Sequence, residues 1–75
     1  MSKQFSAFYV SWRDAERRPF GLAGNDDPAY GRAAAAALQE RLNQLADEGW
    51  IIQEIIPSGG LTSKQMAAFT VIAFR

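Results

Sequence analysis

Only one stretch of this chain carries the period of a long helix, and extended runs that are apolar on both sides flank it. From Asp27-Pro28 to about Glu48, at about 100° per residue, Ala34, Ala35, Leu38, Leu42 and Leu45 share one side. Glu40, Asn43, Gln44 and Asp47 fall opposite. Asp27 suits the N-cap, and Pro28 the first helical position, where its missing N–H does no harm. The segment "GRAAAAAL" is small on every side, so a neighbouring element can approach closely there. Gly49 suits the C-terminal stop, because glycine best tolerates the left-handed conformation that ends many helices. Trp50 then opens an extended run, so Gly49-Trp50 reads as the corner between helix and strand.

The extended runs follow from composition. Phe5 to Trp12 concentrates Phe, Tyr, Val and Trp, with Phe5, Ala7, Tyr9 and Ser11 on one face and Ser6, Phe8, Val10 and Trp12 on the other. Residues 13–27, "RDAERRPFGLAGNDD", are a loop by their breakers Pro19, Gly21, Gly24 and Asn25-Asp26-Asp27. Trp50 to Ile56 is the second strand, Pro57-Ser58-Gly59-Gly60 a turn, and Ala67 to Phe74 the third strand. Residues 61–66 either lengthen the loop or open that last strand. The order β-α-β-β predicts a single small α+β domain over residues 1–75. In it a three-stranded, mainly antiparallel sheet carries one amphipathic helix on one face, since parallel sheets usually need both faces covered. The last two strands form a hairpin, and the first pairs with either of them.

Seventy-five residues bury only roughly 60% of the unfolded surface, so such a domain usually needs reinforcement. The chain has no Cys and no His, which removes disulfides and leaves carboxylates as the main metal ligands. Oligomerisation is the remaining device. Eight basic and eight acidic residues give a formal charge of zero, unlike the basic surface a general nucleic-acid binder needs. No apolar run reaches membrane-spanning length, and the start lacks the features of a secretory signal. A cytoplasmic location is the resulting expectation.

One part of the pattern is familiar. Leu42, Asn43, Leu45, Glu48, Gly49 and Trp50, then Gly59-Gly60 and a last strand ending in Phe74-Arg75, resemble the small bacterial family called domain of unknown function 4177. The resemblance covers residues 38–75, about half the chain. It implies the helix, turn and strand order above and carries no catalytic residue. The loop with Arg17, Arg18 and Asn25-Asp26-Asp27 has no counterpart in that pattern.

No motif defines an activity. Gly59-Gly60 lacks the spacing of a phosphate-binding loop and reads as a turn. Asn25-Asp26-Asp27 lacks the distant carboxylate of a calcium loop. Arg13, Arg17 and Arg18 form the basic cluster, and Arg17, Arg18 and Trp12 are the candidate contacts for a small anionic ligand. Glu48 and Glu54 are the acids near strand ends, and a carboxylate-dependent hydrolase would have to use them. No cofactor or metal is expected.

The decisive point is cover. One helix shields one sheet face, yet the strands are apolar on both. With Trp50, Ile52 and Ile56 turned to the helix, Ile51, Gln53 and Ile55 lie opposite, as do Ile72 and Phe74 against Phe69 and Val71. Ile51, Ile55, Ile72 and Phe74 are thus the expected interface. A soluble monomer seldom exposes such a patch. The sequence therefore predicts a non-enzymatic, self-associating module, a symmetric dimer first, with an anionic-ligand binder as the alternative.

Overall fold

The computed structural model of the chain describes residues 3–15 and 28–75. Strand β1 (Phe5–Ser11) runs into a 3-10 turn (Trp12–Asp14). Helix α1 (Pro28–Asp47), strand β2 (Ile51–Pro57), the single helical turn α2 (Ser63–Met66) and strand β3 (Ala68–Phe74) follow. The three strands form one antiparallel sheet in the order β1-β3-β2, an α+β arrangement. The choice left open for the first strand is thus resolved: β1 pairs with β3. The composition of β3, "AFTVIAF", explains its central place, with Ala68, Val71 and Ala73 all buried. β2 carries Gln53, Glu54 and Pro57, residues that an edge position tolerates.

Strand ends differ by single residues from the sequence reading: β2 runs Ile51–Pro57 where Trp50 to Ile56 was expected, and β3 begins at Ala68 where Ala67 was expected. Two further differences have a local reason. β1 stops at Ser11, not Trp12, because Ser11 caps the 3-10 turn. Its hydroxyl accepts from Arg13 N–H at 3.2 Å, and its own N–H donates to Asp14 Oδ2 at 2.9 Å. The ambiguous 61–66 segment contains a helical turn. The Thr62 hydroxyl caps it by accepting from Gln65 N–H, and Gln65 Oε1 accepts from Leu61 N–H. A Cβ on Gly60 would overlap Gln65, so this glycine is a packing requirement; Gly59 faces open space. Asp27, the expected N-cap, lies outside the described residues.

The helix buries a stripe slightly rotated from the expected one. Tyr30, Ala33, Ala34, Ala37 and Leu45 are buried, Leu38 and Leu42 are half-buried, and Ala35 is exposed. Five consecutive alanines give no internal clue to the buried side. Tyr30 sets it, through an edge-on contact with Trp12 at 4.9 Å. The small half of the helix, with Ala34, packs beside Ala67 and Trp12, as its composition predicts. The larger half places Leu38, Leu42 and Leu45 in the main core with Phe8, Val10, Trp50, Val71 and Ala73. Phe8 and Trp50 meet edge-on at 5.3 Å.

The second correction concerns β2. Its register with β3 slips at Gln53: Ile52 faces Ala73, then Glu54 faces Ile72 and Ile55 faces Val71. Such a bulge inverts the alternation beyond it. Ile55 therefore shares the helix-facing side with Val71, and Ile56 joins the opposite side with Thr70. The sequence reading had these two reversed, because plain alternation contains no sign of an inserted residue.

Candidate functional site

The corner at Gly49 is built before any surface can be. Gly49 has φ +88°. Its N–H donates to Ala46 C=O at 3.0 Å, and Trp50 N–H donates to Leu45 C=O at 2.9 Å. These are the two bonds of a Schellman cap, with its customary apolar contact between the residues that here are Trp50 and Leu45. The guanidinium of Arg75 completes the corner. It stacks 4.2 Å above the Trp50 ring and donates to Glu48 C=O at 2.6 Å. The basic residue ending the last strand therefore closes the helix terminus from across the fold. Sequence reasoning noted Arg75 only as the end of a pattern.

Cross-strand register then defines the face away from the helix, since directly opposed residues point the same way. β1 contributes Phe5, Ala7 and Tyr9; β3 contributes Thr70, Ile72 and Phe74; β2 contributes Ile51, Glu54 and Ile56. Phe5 is 58% exposed, Tyr9 67%, Ile51 57% and Ile56 44%, while Ile72 and Phe74 are half-buried among them. Phe5 and Phe74 pack ring to ring at 5.5 Å, and Lys3 Nζ lies 4.7 Å above Phe74. Of the expected interface, Ile51, Ile72 and Phe74 come together here and Ile55 does not. Phe5, Tyr9 and Ile56 complete the face. The alternation of the first strand had already grouped Phe5 with Tyr9, but not which side the helix would take.

The expected anion contacts are only partly visible. Arg17 and Arg18 lie outside the described residues. Trp12 is half-buried against Tyr30, with the Arg13 guanidinium 5.2 Å from its ring centre. Tyr9, Ser11, Trp12, Arg13 and Gln65 line a shallow cleft of about 240 Å³. A larger cleft of about 350 Å³ lies between β1 and α1, where Asp14, Glu40, Arg41 and Gln44 meet Tyr9 and Val10. Glu48 sits at the helix end and Glu54 mid-strand on the open face, opposite Ile72.

Among the described residues there is no group of three or more His, Cys, Asp or Glu side chains placed to hold a metal ion. Among them no helix is long and apolar enough to cross a membrane. No family model, curated protein or solved structure matches this chain.

Proposed function

We propose that the chain is a non-enzymatic, self-associating interaction module and that its open sheet face is the contact surface. One observation carries this reading. Phe5, Tyr9, Ile51 and Ile56 remain 44–67% exposed on a face that spans all three strands, with Glu54 between the two isoleucines of β2. Burial of that face against another copy removes the apolar area from water without requiring a second kind of partner. The small size of the domain points the same way, since association is a common reinforcement for chains of this length.

Sedimentation velocity tests the reading. The wild-type protein is expected to sediment as more than a monomer at micromolar concentration. Ile51→Asp combined with Ile56→Asp places two charges on the face and should weaken association while leaving the helix-side core untouched. A wild-type protein that stays monomeric across this range refutes the proposal.

A further inference from the structure

Among the described residues the sheet has two free edges, and they are not equivalent. β2 is interrupted by the bulge at Gln53 and ends at Pro57, which has no N–H to donate. Both features blunt an edge against further pairing. β1 has neither. Its register with β3 runs unbroken from Phe5 opposite Phe74 to Ser11 opposite Ala68.

Hydrogen bonding shows which β1 groups point outward. Gln4 and Arg75 exchange both backbone bonds, at 2.8 and 3.0 Å, and Trp12 N–H donates to Ala67 C=O at 3.0 Å. Antiparallel pairing alternates strictly, so the even residues of β1 bond inward and Phe5, Ala7, Tyr9 and Ser11 present their backbone groups to the free edge. The Ser11 N–H is already taken by Asp14. Three outward N–H groups remain, on Phe5, Ala7 and Tyr9, and they are spaced symmetrically about Ala7.

We infer that this edge pairs with β1 of a second copy, antiparallel and about a two-fold axis at Ala7, to give a continuous six-stranded sheet. The inference rests on the self-association reading and specifies its geometry. With Ala7 opposite Ala7, each Phe5 lies across from Tyr9 of the second copy, so all three free residues are used and the capped Ser11 falls outside the pairing. Both Phe5–Tyr9 pairs lie on the open face, where cross-strand aromatic pairs stabilise a sheet. The small alanine sits at the axis, between the two aromatic pairs. On the other side, the cleft beside β1 leaves room along the edge, and Glu40 next to Arg41 on its wall is self-complementary in charge under a two-fold.

Area supports the same arrangement. At their observed exposures, Phe5, Tyr9, Ile51 and Ile56 offer roughly 450 Å² per copy, taking about 200 Å² for each large side chain. A stable interface buries about 800 Å² per partner. One face is too small to stack firmly on another sheet, whereas two faces joined through β1 reach the required size, so edge pairing comes first and the open faces, with Ile51 and Ile56, are then buried between two such pairs.

Ala7→Pro tests the pairing directly. It deletes an outward N–H at an exposed edge position, and the inward bonds of Ser6 and Phe8 to β3 are retained. The variant is expected to keep the far-ultraviolet circular dichroism of the wild type and to lose the associated species in sedimentation velocity. Amide hydrogen exchange on the wild-type protein supplies the second measurement, independent of whether the proline variant folds. The Phe5, Ala7 and Tyr9 amides should be protected in the associated state and lose protection on dilution. If Ala7→Pro folds and associates as the wild type does, or if those amides exchange freely in the associated protein, edge pairing is wrong and self-association stands. If the wild type never associates, both readings fall.

Discussion

Replacing Gly49 by valine isolates what the helix-to-strand corner contributes to stability. At φ +88°, an L side chain occupies the left-handed region at about 1–2 kcal/mol. A Cβ at this position meets nothing within 4 Å, so the penalty is local strain and includes no collision. Against it, a bulkier residue restricts the unfolded chain and offsets about 0.4–1 kcal/mol. Alanine should therefore destabilise by about 0.5–1 kcal/mol net, and valine by about 1–2 kcal/mol because branching at Cβ adds its own restriction. Asparagine, which visits the left-handed region more readily, should be the mildest of the three. For a domain of this size each kcal/mol moves the melting midpoint by about 4–8 °C. Thermal unfolding followed by circular dichroism resolves such shifts, provided all variants are compared at one protein concentration, because association itself raises the midpoint. A valine variant that melts at or above the wild type, or an asparagine variant as damaged as valine, refutes the positive-φ account of Gly49.

Arg75→Ala removes both the stack on Trp50 and the bond to Glu48 C=O. At this exposed site it should cost about 1–2 kcal/mol, read by denaturant unfolding, with Arg75→Lys recovering only part because a single ammonium lacks the planar fork. Gly60→Ala forces Gln65 and the α2 turn to move; about 1–3 kcal/mol of destabilisation is expected from such overpacking. An unchanged midpoint would show that the turn yields freely. Deleting Gln53 keeps Ile52 opposite Ala73 and Glu54 opposite Ile72, so the monomer should stay folded. Without the bulge the β2 edge becomes regular, and light scattering should report larger species for the variant than for the wild type; an unaltered size distribution would show that the bulge does not restrain this edge.

The parts of the fold that could be read from sequence are those fixed by short-range chemistry. Pro28 begins the helix, Gly49 ends it, and both follow from what single residues do to the backbone. The grouping of Phe5, Ala7 and Tyr9 on one side of β1 also held, because that strand alternates without interruption. β2 defeated the same rule. Nothing in "WIIQEII" distinguishes a bulge at Gln53 from regular alternation, and the mistake passed to Ile55 and Ile56. The alanine run was similarly silent: the side it buries depends on Tyr30 meeting Trp12 from another element. Arg75 was invisible as a capping residue because its acceptor, Glu48 C=O, lies 27 residues away in sequence.

The distribution of cations over the aromatic rings gives the exposed surface a direction. Arg13 lies over Trp12, Arg41 over Phe8 and Arg75 over Trp50, at 5.2, 5.1 and 4.2 Å from the ring centres. These three rings belong to the helix side of the sheet, where each carries a guanidinium over it. On the open face, among the described residues, Lys3 over Phe74 is the one such contact, and it lies at the end where β1 begins. Phe5 and Tyr9 are also the residues whose backbone groups point to the free edge of β1, so the least shielded aromatics coincide with the least blunted edge. That coincidence of exposed aromatics and open edge on β1 is what the proposed pairing with a second copy of the strand requires.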